Sequence, residues 1–174
     1  MPHTAQNKNK NSNHFEALFK YATMGILITD SSGKIAAINP FASKEFGYTE
    51  KELIDKKIET LIPAGFYNKH IHHREKYSEK PQNRPMGVGM DLFALKKDGT
   101  EFPVEVSLGN YYNNGEKYVI AFISNISVRK KTEEEIVKLN DEMEATVEQR
   151  TMDLKQTMQQ LEISRDQLED VQFR

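Results

Sequence analysis

Apolar and polar residues alternate with a period of two on both sides of Asp98-Gly99. After it, Phe102, Val104, Val106 and Leu108 alternate with Glu101, Pro103, Glu105 and Ser107. Before it, Met86, Val88, Met90 and Leu92 alternate similarly, with Gly87 and Gly89 between them. A period of two gives a strand one buried and one wet face. The stretch 84–108 is therefore predicted as two antiparallel strands joined by a two-residue loop at Asp98-Gly99. Glycine inside a strand marks a bulge or the close approach of another group. This hairpin is expected to be the wall of a core or a pocket.

The rest of the chain falls into place around it. Residues 1–13 are polar and rich in Asn and Lys, a composition that predicts disorder. Phe15, Leu18, Phe19 and Ala22 recur at helical spacing, so an N-terminal amphipathic helix is expected, ending at Gly25. Ile26–Thr29 and Lys34–Ile38 read as strands around the turn Ser31-Ser32-Gly33. Asn39-Pro40 opens a helix, with Asn as cap and Pro at the first helical position, and Gly47 closes it. Thr49-Glu50-Lys51-Glu52 matches a capping box before a second short helix. A longer helix is predicted from about Ala64 to Tyr77, carrying Phe66, His70, His73 and Tyr77 at spacings of three and four. After a polar loop over 78–85 come the hairpin, a turn at Asn113-Asn114-Gly115 and a last strand over Lys117–Ile126. Two strands, several short helices and then three strands predict an α+β domain, with helices on one face of an antiparallel sheet.

From Ser127 the pattern changes. Residues 129–174 contain neither Gly nor Pro and are dominated by charged residues and Gln, which predicts one long helix of roughly 65–70 Å. Such a helix needs a packed apolar face. Ile136, Leu139 and Met143 fit one heptad register, and Val147, Leu154, Leu161 and Leu168 repeat at strict sevens. The step of four from Met143 to Val147 is a stutter, which locally unwinds a coiled coil. The companion row is poor: Arg150, Thr157 and Ser164 precede its one apolar member, Val171. A marginal two-stranded coil is the expectation, and a solvated lone helix or one folded back on the domain are the alternatives.

Composition narrows the chemistry. The 174 residues carry a net charge of −2 and no Cys. Disulfides, thiolate nucleophiles, thiolate metal sites and flavin chemistry through a cysteine adduct are excluded. The near-neutral balance gives no electrostatic case for nucleic acid. No apolar run approaches a membrane span and no apolar signal region opens the chain, so a soluble, cytoplasmic chain is expected.

Taken in order, GILITDSSGKIAAINPFASKEFGYTEKELI, LIP, RPMGVGMDLFALKKDGTEFPVEVSLG and AFISNIS resemble a PAS sensor domain over roughly residues 15–128. The resemblance implies a five-stranded antiparallel sheet, with the helices between strands two and three covering a pocket. The organisation expected from it is a disordered stretch 1–13, a sensor domain 14–128 and a helix 129–174. The tail resembles a signalling-helix linker, including Glu148-Gln149-Arg150-Thr151. Such linkers commonly join PAS domains to the dimerisation helices of sensor histidine kinases. The implied partners are a second copy, in a parallel homodimer through the C-terminal and N-terminal helices, and a downstream output domain. Many PAS domains end their last strand in Asp-Ile-Thr, whose Asp is tied into the junction with the output helix. Here the match is Asn125-Ile126-Ser127, which cannot form an ion pair at its first position; Arg129 and Lys130 open the helix as other anchors.

Within the domain, Ile28, Ile38, Phe46, Ile62, Val88, Met90, Val104 and Phe122 are expected to line the space between sheet and helices. His70 and His73 share a helix face, but no carboxylate at obvious ligand spacing joins them, and a surface histidine run is the plainer reading. A haem site is a sharper hypothesis. His70 stands seven residues after Pro63, where one group of haem-binding PAS sensors places its ligand, and Met86 and Met90 offer thioether sulfur opposite. A second group places its ligand just before the glycine-containing strand, at a position that Arg84 fills here and Arg cannot serve. A non-covalent small molecule in the pocket, or a packed core with no ligand, are the other readings. No phosphate loop, nucleophile–base pair or metal-binding His-Glu-x-x-His occurs, so no residue marks this chain itself as an enzyme.

Overall fold

The computed structural model describes residues 14–79, 84–86 and 92–172. Residues 14–21 form helix α1, in which the Phe15 and Phe19 rings stack with centroids 6.2 Å apart while Leu18 and Tyr21 stay exposed. Strands β1 (Gly25–Asp30) and β2 (Ile35–Ile38) follow, then helices α2 (Pro40–Phe46) and α3 (Glu50–Leu53). Two short 3-10 turns, Ile58–Leu61 and Ala64–Phe66, lead into α4 (Tyr67–Glu79). Strands β3 (Arg84–Met86), β4 (Leu92–Leu95), β5 (Glu101–Asn113) and β6 (Glu116–Asn125) precede the long helix α5 (Ser127–Gln172). The chain divides into two compact units, Met1–Ser127 and Val128–Arg174.

All strand pairs are antiparallel, in the order β2-β1-β6-β5-β3, with β4 also on β5. The stretch predicted as one strand before Asp98 is two. Met86 pairs with Val106 and Leu92 with Val104, so one β5 residue, Glu105, separates partners that lie six apart on the other side. An unbroken ladder keeps both sides in step. β3 and β4 therefore occupy one position beside β5, and the sheet has the five positions of the expected fold. The loop at Asp98-Gly99 is also longer than expected. Lys96 and Thr100 still pair through Lys96 N–H to Thr100 O (2.9 Å), and only Gly99 has positive φ, +85°. That is the three-residue loop with a glycine bulge rather than a two-residue turn. Asn114 (φ 49°) and Gly115 (φ 84°), between the paired Asn113 and Glu116, do form the two-residue turn.

Local chemistry fixes the helix ends. Asn39 is fully buried; its Oδ1 accepts from Ala42 N–H (3.0 Å) and Ile26 N–H (2.9 Å), while its Nδ2 donates to Met24 O (2.9 Å). One side chain thus caps α2 and pins the start of β1. Gly47, with φ 75°, ends α2 in the left-handed conformation. Glu52 accepts both the N–H and the hydroxyl of Thr49, each at 2.9 Å, and so caps α3.

The core joins Leu27, Ile35, Ile38, Phe46, Leu53, Leu61, Phe102, Val104 and Ile123, with the Phe46 and Phe102 rings edge to face at 5.5 Å. Ile38, Phe46 and Val104 lie where the pattern placed them. Ile28 and Phe122 do not. Leu27 pairs with Ala121 on the core side, whereas Ile28 pairs with Ile120 and Ile26 with Phe122. Paired residues share a face and neighbours alternate, so Ile28 and Phe122 occupy the opposite face of the sheet. Ile62 is only half-buried, and its neighbour Leu61 is the core member. Val88 and Met90 lie outside the described residues.

Considered by itself, α5 exposes its apolar rows. Val147, Leu154 and Leu161 are open to solvent, as are Ile136, Leu139 and Met143. The side chain of Leu168 lies outside the described ones. Pairs four apart, such as Arg129–Glu133 at 3.5 Å and Lys138–Glu142 at 3.8 Å, brace the helix surface.

Candidate functional site

Two polar clusters stand out against this frame. The first centres on Glu59 in the 3-10 turn Ile58–Leu61, a carboxylate that is 3 % exposed. His70 and Arg74 lie four apart on α4 and therefore share a face. Both reach the same Glu59 oxygen, His70 through Nδ1 at 3.1 Å and Arg74 through Nε at 3.0 Å. Arg74 Nη1 also donates to Ser32 O at 2.8 Å. That carbonyl is presented by the β1–β2 turn, where Asp30 Oδ1 accepts from Ser32 N–H, Ser32 hydroxyl and Lys34 N–H. The guanidinium lies against Gly33 so closely that a Cβ there would sit 2.8–2.9 Å from its atoms.

The charges follow from this packing. Burial pushes the Glu59 carboxyl upward, but its own backbone N–H, the His70 hydrogen bond and the Arg74 charge outweigh that and hold it below the ordinary value. Burial pushes His70 down, against the upward pull of Glu59, so the imidazole is neutral at neutral pH. A neutral imidazole meets a carboxylate only by donating, so the proton sits on Nδ1 and Nε2 carries the lone pair.

Of the three histidines in the run, His70 alone turns to Glu59. The His72 and His73 rings lie 6.4 Å apart, and both residues are exposed. Among the described residues no group of three or more His, Asp or Glu side chains is placed to hold a metal ion. Arg84 pairs with Leu108 and Met86 with Val106 on the sheet. For haem, the donor chemistry of His70 fits: an imidazole held by a carboxylate at Nδ1 keeps Nε2 for iron.

The second cluster closes the domain. Asn125, the last residue of β6, donates from Nδ2 to Glu45 in α2, and its Oδ1 accepts from Ser127 N–H at 2.9 Å. Ile126 N–H donates to Pro103 O at 3.1 Å, tying the same junction to β5. Lys96 Nζ stands 3.9 Å from the Glu45 carboxylate. The ion pair that Asn125 cannot make is therefore made beside it by Lys96. Glu45, Lys96, Glu59 and Arg74 carry no motif in the sequence; only Arg74, four residues after His70, shows a helical spacing that points to a shared face.

The model of the PAS domain matches residues 23–128, the whole of β1 to β6 and the Asn125 junction. The chain belongs to the PAS family. Among its relatives, the sensor protein FixL of Bradyrhizobium diazoefficiens is 23% identical over 75% of this chain, which spans 26% of that protein. The sensor histidine kinase TmoS of Ectopseudomonas mendocina is 24% identical over 74% of this chain and 13% of its own length. The crystal structure of the PAS domain of an HTR-like protein from Haloarcula marismortui covers 70% of this chain and 97% of that domain, with a TM-score of 0.57 and 22% identity. The chain thus spans about a quarter or less of the curated relatives it matches. In this PAS domain, as in the fold generally, helices cover one face of a five-position antiparallel sheet.

Proposed function

We propose that this chain is a dimeric sensory module. A small molecule or partner alters the PAS domain, the end of β6 shifts, and α5 carries the change to an output domain, a histidine kinase of a two-component system. The chain itself performs no catalysis. The observation that carries this reading is the Asn125 junction, where one side chain bonds Glu45 of α2 and the backbone of Ser127, the residue at which the domain ends. The relative named a sensor histidine kinase supports the output, and the exposed rows of α5 support the second copy. The poor companion row with Arg150 and the stutter after Met143 keep two helix packings close in energy, as a switch requires. Sedimentation of the chain and of a variant ending at Ser127 tests the dimer. The full chain is expected to be a micromolar or tighter dimer and the shortened one markedly weaker. A monomeric full chain overturns the reading, and a dimer that no ligand or partner ever shifts reduces it to a scaffold.

His70 gives a second reading its support. The Glu59-held imidazole is in the tautomer that ligates haem iron through Nε2. Bound there, haem supplies a redox-active, gas-binding iron. Reconstitution with haem should then give a Soret band that His70→Ala removes; no band in the native chain ends this reading.

A further inference from the structure

The contiguous core occupies one end of the inner sheet face, with Leu27, Phe102, Val104 and Ile123. Further along that face, Leu108, paired with Ala121, and Val119, paired with Thr29, remain half-exposed. Tyr77 is the one buried side chain described on α4, and it stands outside the contiguous core. It lies three residues beyond Arg74, on the α4 face that packs against Glu59. Its hydroxyl is shut off from solvent and has no hydrogen-bond partner among the described residues. A buried hydroxyl with no partner destabilises the fold that holds it, and such groups are rare enough in native structures to need a cause.

We propose that the Tyr77 hydroxyl is the hydrogen-bonding point of a small-molecule site on the inner face of α4, and that the ligand is neutral, largely apolar and carries one carbonyl or similar acceptor. The charge follows from what surrounds the site. Glu59 is already matched by Arg74 and His70, and Arg74 spends a further N–H on Ser32 O. Among the described residues, that face offers a charged ligand no spare counter-charge to offset its desolvation. The apolar body follows from Leu108 and Val119, which gain from cover. The phenol donates its O–H to the ligand, and side chains packed against it give way as the ligand enters. This deepens the sensory reading above, in the version where the signal is a small molecule.

The test compares cyclohexanone with its isostere methylenecyclohexane, which differ only in the acceptor oxygen, by NMR titration of the full chain. In the native chain cyclohexanone is expected to bind about five-fold or more tighter, the worth of one hydrogen bond, and Tyr77→Phe is expected to erase the difference. After unfolding and refolding to strip any carried ligand, Tyr77→Phe should also raise the melting temperature, because it removes a hydroxyl without a partner. A lower melting temperature for the stripped variant would mean that the hydroxyl has a partner within the protein, and would overturn the proposal. So would equal binding of the two probes by the native chain, or no binding of either. A dimer whose α5 packing still responds to a partner protein would leave the sensory reading standing while this inference fails.

Discussion

Asn125 donates from its amide to the Glu45 carboxylate while its carbonyl oxygen accepts from the backbone of Ser127. An amide serves both bonds because it has a donor and an acceptor; a carboxylate has only acceptors. Asn at this position is matched to the carboxylate that α2 brings to it.

Asn125→Asp sets two carboxylates face to face and forfeits the donor. It should lower stability by about 1–2 kcal/mol, more than Asn125→Ala, and the excess over Ala should shrink in 1 M salt as repulsion is screened. Urea unfolding at two salt concentrations measures this. An Asp variant as stable as the native chain would remove Glu45 from the junction.

Glu59→Gln leaves Arg74 and His70 without their carboxylate, and should cost about 2–4 kcal/mol. Because Glu59 is held below its ordinary value of 4.5, its contribution is complete above about pH 5 and is lost as pH falls through the lower folded value. The acid limb of the native stability profile should therefore be steeper than that of Glu59→Gln. Parallel acid limbs would contradict the assignment.

His70 titrates in the next window. Its folded value lies below 6.5, so the unfolded chain takes up the proton first and stability declines as pH drops through that range. The groups acting on it are Glu59, Arg74 and His73. Between about pH 7.5 and 5.5 the native chain should lose more stability than His70→Gln. A gain on acidification would mean that the Glu59 attraction dominates burial.

Gly33 tests the packing of Arg74. Its φ of +81° and the guanidinium 2.8–2.9 Å from a would-be Cβ both oppose a side chain. Gly33→Ala should cost about 2 kcal/mol, and about half of that in an Arg74→Ala background, where only the backbone penalty remains. Equal costs in both backgrounds would show that the guanidinium moves aside freely.

Much of the fold was legible because its punctuation is local. Asn39-Pro40, Gly47, the Thr49–Glu52 box and Asn114-Gly115 each act within a few residues, and each stands where those residues place it. The faces of β1 were not legible. Every residue of GILITD is buried or half-buried, so hydropathy does not say whether Leu27 or Ile28 meets the core; pairing with Ala121 or Ile120 decides it. The apolar run around Phe122 hides its face for the same reason. The break between β3 and β4 was missed because alternation through Gly87 and Gly89 mimics one strand, while register depends on β5. Glu59 and Glu45 were missed because their partners lie 11 to 80 residues away, as His70, Arg74 and Asn125.

If the PAS domain acts on α5 through the Asn125 junction, the packing of α5 between two copies depends on that amide. The chain has no cysteine, so single cysteines report without background. Disulfide formation between copies should be scanned with Cys at each position from Val147 to Leu161, in the native chain and in Asn125→Ala. A seven-residue periodicity peaking at Val147, Leu154 and Leu161 is expected, with rates that change in Asn125→Ala. Identical profiles in the two chains, or no periodicity, would contradict it.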